Sequence, residues 1–344
     1  MSMNLFIPIV TEDKQHKNFV SIMELSKEAD RFELLRWAND FPDRDNKFVK
    51  EFQTTFNSSF WEIYLYALFK ELNFKMDWSY PSPDFLLEYQ TKKIVVEATI
   101  AAAALGKTPE WERDIIEGSP ARFTKMNIES IVRLSNSIAS KYKKYKNTYS
   151  KLSHVNSNPF VLAVAPFEQP YFNLQLDIPI MALLYDFYVD EDAYNDNPHL
   201  YPNGPPKVSL GSVEKDNGSK VKLGLFEDTS HSDISAIILS TTATWGKVEA
   251  MSSAAHQRCI STVWWSEEEH KPIFKLSTSD NNSEKIQDGL YVFHNPFASN
   301  PVGPDMFRHE GITQVFIDPK NKKITKEINS LFLMHRQTIN ILSK

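Results

Sequence analysis

Residues 83–100 read PDFLLEYQTKKIVVEATI, two extended runs on either side of a polar turn. The runs are rich in β-branched and large apolar residues, which is typical of paired strands. We therefore predict a β-hairpin here. If its turn is centred on Gln90 and Thr91, Asp84 lies directly opposite Glu97 across the two strands.

Two carboxylates in this arrangement repel each other, because directly opposed side chains in a sheet have Cβ atoms only ~4.5 to 5.5 Å apart. Such a pair is usually neutralised by a shared proton or by a cation between the two groups. Hard oxygen ligands favour Mg²⁺ or Mn²⁺. Asp84 and Glu97 are therefore candidate metal ligands. Thr99, two residues after Glu97, projects from the same face of the strand.

A buried acidic residue precedes the hairpin. Residues 48–74 are apolar on nearly every side of a helix, which predicts one or two buried helices. Glu62 lies in the middle of this segment, and burial of an ionised carboxylate is costly unless the group is paired or bound to a metal. Glu62 is thus a third candidate metal ligand. A salt bridge or a hydrogen bond to a tyrosine accounts for it equally well.

A long helix and a buried strand follow the hairpin. Residues 122–149 carry apolar side chains at helical spacing, and residues 159–166 form a short apolar run typical of a buried strand. The predicted order is therefore helix, strand, strand, helix, strand. Residues 74–79 can supply one further strand.

The helix after the hairpin is basic, although the whole chain has a net charge of −6. Residues 121–152 contain eight basic residues and one acid, Glu129, which gives this segment a net charge of +7. A concentrated basic stripe on an acidic protein is typical of a surface that faces phosphate groups. A solvated helix face accounts for the run equally well. The candidate phosphate contacts are Arg122, Lys125, Arg133, Lys141, Lys143 and Lys144.

Two short motifs resemble those of a known enzyme family. Pro83-Asp84 and, thirteen positions later, Glu97-Ala98-Thr99 resemble the signature of PD-(D/E)XK, or restriction endonuclease-like, nucleases. Many members carry an acidic residue on the helix before the hairpin, where Glu62 lies. The order of elements also matches the common core of that family. The resemblance covers roughly residues 48–166.

The basic helix contains a further likeness. The spacing of Lys141 and Tyr145 resembles the QxxxY element of RecB-like nucleases, with lysine in place of glutamine. Tyr145 therefore joins the candidate nucleic-acid contacts. The family's lysine, which orients or activates the attacking water, falls at Thr99 here. If the chain is active, another cation must serve, with Lys141 as the first candidate and Lys125 or Arg122 next.

The resemblance implies a metal-dependent nuclease with a restriction endonuclease-like core, in which a mixed central sheet is flanked by helices. Its cofactor would be Mg²⁺ or Mn²⁺, held by Asp84 and Glu97, with Glu62 completing the shell directly or through water. The implied catalytic residues are Asp84, Glu97, Thr99 and Lys141. Lys141 would stabilise the attacked phosphate.

The implied partner is nucleic acid, DNA in preference to RNA. Fold-level analogy adds a role in bacterial defence against phage. A homodimer and a defence-system partner protein are further expectations. Two alternatives stay open. One is a catalytically degenerate nucleic-acid-binding or regulatory protein of the same fold, and the other is an interaction module of a larger assembly.

We predict three parts along the chain. They are an N-terminal segment at residues 1–47, the nuclease-like core at residues 48–190, and an α+β extension at residues 191–344 for recognition, dimerisation or partner binding. Within the extension, residues 233–241 have the pattern of a buried strand, and residues 326–342 that of an amphipathic closing helix.

The composition and the missing motifs exclude several other classes of protein. The single cysteine, Cys259, excludes an internal disulfide, and no Cys/His grouping has zinc-ligand spacing. The phosphate-binding GxxxxGK[ST], the dinucleotide-binding GxGxxG after a strand and the hydrolase GxSxG motifs are all absent from the sequence. The first ten residues make a poor signal peptide, and no run approaches the ~20 apolar residues of a membrane span. We therefore expect a cytoplasmic protein that does not enter a membrane.

Overall fold

A computed structural model describes residues 3–112, 122–253 and 258–341. The helices in these ranges are α1 (Lys17–Ile22), α2 (Glu28–Trp37), α3 (Phe48–Thr54), α4 (Phe56–Glu71), α5 (Thr124–Asn147), α6 (Ile178–Tyr185), α7 (Glu191–Asp196) and α8 (Trp245–Met251). The strands are β1 (Lys75–Met76), β2 (Phe85–Tyr89), β3 (Lys92–Ala102), β4 (Phe160–Phe167), β5 (Tyr188–Val189), β6 (Lys207–Val208), β7 (Ser212–Glu214), β8 (Lys220–Lys222), β9 (Ile234–Leu239), β10 (Arg258–Ser266), β11 (Lys271–Thr278), β12 (Leu290–His294), β13 (Ile312–Ile317), β14 (Ile324–Ile328) and β15 (Leu331–Asn340).

Eight of these strands form one mixed sheet in the order β1-β2-β3-β4-β9-β12-β13-β14. The central strands β3, β4 and β9 run parallel, whereas β2 and β12 run antiparallel to their neighbours β3 and β9. Helix α5 makes the connection between β3 and β4. The prediction of an α/β protein with a mixed central sheet flanked by helices is therefore confirmed.

The sheet has a separate apolar core on each face. Helices α1 to α4 contribute to one core, together with alternate β3 residues such as Val96 and Ala98. Helices α5 and α6 contribute to the other, together with Val95 of β3 and Leu86 of β2. Because side chains alternate along a strand, Glu97 projects towards α5, away from α4.

The hairpin has the predicted register. Phe85 pairs with Val96 and Tyr89 with Lys92, so the two-residue turn consists of Gln90 and Thr91. Gln90 has φ of 56°, a left-handed conformation that such a tight turn requires. Asp84 lies one residue before β2, at the position that continues the pairing opposite Glu97. The long helix, the buried strand at β4 and the short strand at β1 also form as predicted.

The helix predicted at residues 326–342 is wrong, although residue 342 lies outside the described ranges. This part of the chain forms β14 and β15, separated by a turn at Ser330, whose φ is 75°. Strand β15 pairs with β10 along its length and completes a three-stranded sheet in the order β11-β10-β15. Pairing with a strand more than sixty residues earlier overrides the local helical pattern.

The three parts predicted from sequence contribute to the same apolar core, and the second and third also share the main sheet. Strands β9, β12, β13 and β14 lie after residue 190 in the chain and join the sheet that holds the hairpin. Phe19 and Leu34 from the N-terminal segment belong to the core that contains α4. Residue 190 therefore does not divide the sheet. Among the described residues, no helix has the length and apolar character needed to cross a bilayer.

Trp61 connects helix α4 to the sheet, and replacing it tests this packing. Its side chain is fully buried, and its Nε1 donates a hydrogen bond to the main-chain oxygen of Ala163 at 3.0 Å. We predict that Trp61→Phe lowers the free energy of unfolding by roughly 2–4 kcal/mol, since it removes this bond and leaves a cavity. Urea titration followed by circular dichroism measures the change. The control is Phe32→Leu, at an exposed site on α2, and equal stability of the two variants would contradict the packing described.

Candidate active site

Asp84 and Glu97 meet at the sheet, as the hairpin register requires. Asp84 Oδ2 accepts a hydrogen bond of 2.7 Å from the main-chain N–H of Ala98, the residue after Glu97. This bond fixes the Asp84 carboxylate against β3 and leaves Oδ1 for other contacts. Glu97 itself is fully buried. The two carboxylates that the sequence places opposite each other are thus neighbours.

Two lysine side chains of helix α5 contact Glu97. Glu97 Oε1 accepts hydrogen bonds from Lys141 Nζ at 2.7 Å and from Lys144 Nζ at 3.1 Å. The hydroxyl of Tyr149, in the turn that follows α5, donates to the same oxygen at 3.2 Å. The second oxygen, Oε2, is buried and has no hydrogen-bond partner within the described residues.

The spacing of the two lysines explains why both reach one carboxylate. Residues three apart on a helix lie on the same face, and this face of α5 covers β3. Lys141 was the first candidate for the missing motif lysine, and it lies against Glu97. Thr99, at the motif position, has its hydroxyl 2.9 Å from Ser137 Oγ on α5, which in turn donates to the main-chain oxygen of Ile100. The threonine therefore helps to hold α5 on the sheet.

The acids of the site are difficult to ionise together. Burial, followed by the negative charge of Glu97, raises the pKa of Asp84 to about 6. Burial, followed by the charges of Asp84 and Glu51, raises the pKa of Glu62 to about 8. The charge of Lys141 opposes both shifts. A further cation near these groups would favour their ionised forms.

Glu62 approaches this pair from α4, on the face of the sheet opposite to α5. Its charge interacts with Asp84 and Lys141, so it lies within electrostatic range of the site. Within residues 3–112, 122–253 and 258–341, however, no group of three or more His, Cys, Asp or Glu side chains is close enough to hold a metal ion. The three predicted ligands therefore do not form one compact cluster.

The donor atoms nevertheless suit a hard divalent cation. Asp84 Oδ1 and Glu97 Oε2 are carboxylate oxygens, the type that Mg²⁺ and Mn²⁺ prefer. The clearest indication that a cation suits this site is the unpartnered Oε2 of Glu97, because a buried carboxylate oxygen normally has a partner.

The first half of the basic stripe lies far from this site. At 1.5 Å per residue, Lys125 is roughly 24 Å along α5 from Lys141, so it cannot replace the motif lysine. Arg122 pairs with Asp196 at 2.7 Å, and Arg133 Nε donates to the main-chain oxygen of Ala102 at 2.7 Å. These three residues line a separate cavity of about 690 Å³ at the other end of α5. The stripe is therefore divided between two places: Lys141 and Lys144 contact Glu97, whereas Lys143 is exposed on the same helix.

Tyr145 was predicted to contact nucleic acid, and its position corrects that prediction. Its ring is buried and stacks on Phe160 of β4 with ring centres 4.3 Å apart, so it cannot reach a bound base. Tyr149, which the sequence did not single out, contacts Glu97 instead. The available signal was its spacing of eight residues from Lys141, two turns along the same helical direction.

Comparison with known proteins finds no relative of this chain. No protein-family model, curated protein or solved structure matches this chain.

The raised pKa of Glu62 predicts a pH dependence of stability. Because the folded state holds this proton more tightly than the unfolded state, whose value is near 4.5, the free energy of unfolding falls as pH rises towards about 8. We predict that Glu62→Gln loses less stability than the wild type between about pH 5 and about pH 8.5. Denaturant titrations across this range measure the difference.

Glu71→Gln, at the exposed end of the same helix, is the matched control and should follow the wild-type profile. If Glu62→Gln and the wild type lose stability in parallel, Glu62 does not have the environment described.

Proposed function

We propose that this chain is a metal-dependent nuclease of restriction endonuclease-like fold that hydrolyses phosphodiester bonds in nucleic acid. The observation that carries the proposal is the constellation around Glu97. Asp84 lies beside it at the predicted register, and Lys141 lies on it at 2.7 Å, where the family's lysine is missing from the strand. A buried oxygen of Glu97 remains unpartnered within the described residues.

Each side chain has a distinct part in the proposed reaction. The Ala98 N–H orients Asp84, and the Tyr149 hydroxyl orients Glu97, so each carboxylate presents its other oxygen. Burial and neighbouring charge raise the pKa of Tyr149, so its hydroxyl stays protonated and keeps donating. Lys141 carries a positive charge next to the carboxylates, where it can stabilise charge that develops on a phosphate oxygen.

The metal would be held by Asp84 and Glu97, with Glu62 contributing through water. When bound, such a cation lowers the pKa of a coordinated water and offsets charge on the phosphate and on the leaving oxygen. Lys144, whose side chain is about half exposed at 49%, would contact the phosphate backbone at the entrance.

A cleavage time course tests the proposal. Linear DNA and RNA are incubated with Mg²⁺, Mn²⁺ or EDTA and with the wild type, Asp84→Asn, Glu97→Gln or Lys141→Met. We expect cutting only with a metal, a loss of 10²–10³-fold or more in the two carboxylate variants, and roughly 10²-fold in Lys141→Met.

Lys143→Met is the matched control, because Lys143 is exposed on the same helix. It should cut within about fivefold of the wild-type rate, as expected for a surface charge. Cutting that persists in EDTA, or that survives in both carboxylate variants, would contradict the proposal.

One observation favours a second candidate, a non-catalytic nucleic-acid-binding protein. Lys141 and Lys144 both form ion pairs with Glu97 and can neutralise it together, which is the arrangement a degenerate site would keep. This protein would bind nucleic acid equally well in EDTA and in Mg²⁺ and would cut in neither. Defence against phage stays a prediction from the resemblance under either candidate.

A further inference from the structure

An exposed aromatic side chain lies close in the chain to the proposed site. Tyr80 belongs to the loop between β1 and β2, which leads directly into Asp84. Its ring stacks on His154, with ring centres 3.8 Å apart and planes inclined by 14°. Although one face is covered in this way, Tyr80 remains 38% exposed. Asp84 is four positions later in the chain, so the Cα atoms of the two residues lie within roughly 14 Å of each other.

The loop is held in place from two directions. Arg44 Nη1 donates a hydrogen bond to the main-chain oxygen of Tyr80 at 3.0 Å, and His154 Nε2 lies 2.8 Å from the main-chain oxygen of Ser82. Within the loop, Asp77 accepts a hydrogen bond from the Ser79 N–H at 2.9 Å. These contacts fix the position of the Tyr80 ring before any ligand binds, which reduces the entropy lost on binding.

Cations lie on two sides of the carboxylates. Arg44 is exposed, packs over the ring of Trp78 at 5.5 Å, and its charge acts on Glu62. Lys144 lies over the ring of Tyr149 at 4.7 Å on the α5 side. Arg44 therefore both holds the Tyr80 loop and acts on Glu62, while Lys144 contacts Glu97 directly. Charges that follow a backbone, together with an aromatic platform, are the features by which proteins bind single strands.

On the basis of the proposed nuclease function, we infer that the substrate is nucleic acid with unpaired nucleotides and that Tyr80 positions it by stacking on a base. In a duplex both faces of each base are already stacked, so an exposed ring gains a partner only where a base has left the helix. The other large aromatic side chains that are exposed in the described ranges, Phe32, Trp111 and Phe274, do not belong to the loop that leads into Asp84.

Binding and cleavage together test this inference. The probes are a DNA strand with 2-aminopurine at successive positions, the same strand in a duplex, and the matching RNA strand. Dissociation constants and 2-aminopurine fluorescence are measured in Ca²⁺, and cleavage rates in Mn²⁺. We expect the wild type to prefer the single strands and to quench the probe at one or two positions.

Tyr80→Ala should weaken single-strand binding by about 5- to 100-fold and leave duplex binding nearly unchanged, whereas Tyr80→Phe should retain the preference. Tyr80→Leu keeps apolar bulk without a flat ring and should behave like Tyr80→Ala. Phe32→Ala, at a distant exposed aromatic, is the matched control and should match the wild type.

The outcomes separate the two proposals. If the wild type cuts but binds single strand and duplex equally, or if Tyr80→Ala and Phe32→Ala behave alike, the stacking role is wrong and the nuclease proposal stands. If nothing is cut in any metal while single-strand binding still depends on Tyr80, the nuclease proposal fails and the stacking role stands. Absence of both binding and cutting overturns both. Because 2-aminopurine quenching is also measured with the wild type, it tests base stacking even if a Tyr80 variant does not fold.

Discussion

Glu97 is a fully buried carboxylate, and the structure around it can be understood from the need to neutralise its charge. Burial of an unpaired carboxylate is very costly, so cationic or hydrogen-bonding groups must accompany it. Lys141, Lys144 and Tyr149 meet this need on one of its oxygens. All three belong to α5 or to the turn after it. The charge of Glu97 therefore attaches α5 to the sheet at the same point where Asp84 arrives from the hairpin.

In this arrangement, the positive charges near the site do not fully offset the burial and mutual repulsion of its acids. Asp84 retains a pKa of about 6 and Glu62 one of about 8, because burial and mutual repulsion outweigh the lysines. A protein selected for stability alone would gain by losing these acids, since buried charged groups are seldom the most stable choice. Clustered acids with raised pKa values are instead common at functional sites. The same charges that are costly to bury would provide the proposed metal with its affinity.

The features of the fold and of the site that could be predicted from the sequence are mainly those set by interactions between residues close together in the chain. The hairpin register followed from a two-residue turn and strand alternation, so Asp84 and Glu97 could be paired in advance. The length of α5 was also readable, and its rise of 1.5 Å per residue already implied that Lys125 and Lys141 lie far apart. Lys141 was named only as the first candidate to replace the motif lysine, and its contact with Glu97 depends on how α5 covers β3. The first two relations lie within one hairpin or one helix, whereas the third joins that helix to a strand of the hairpin.

The predictions that were wrong or missing concern residues whose positions depend on packing between separate elements of the fold. Residues 326–341 fit an amphipathic helix locally, and only pairing with β10 makes β15 a strand. Tyr145 became buried because Phe160 of β4 packs against it. Glu62 approaches from the opposite face of the sheet, a consequence of how α4 packs that periodicity does not reveal. Arg44 comes from the predicted N-terminal segment, and no motif connects it with the loop that it supports.

The proposed metal site is tested most directly by the position of Mn²⁺ in a crystal grown near pH 8, located by its anomalous scattering. If these carboxylates form a metal site, we expect a peak in contact with Asp84 Oδ1 and Glu97 Oε2, with Lys141 still near Glu97. No peak at this position, with Lys141 and Lys144 on Glu97 and Mn²⁺ bound elsewhere or not at all, would contradict the claim that these carboxylates form a metal site.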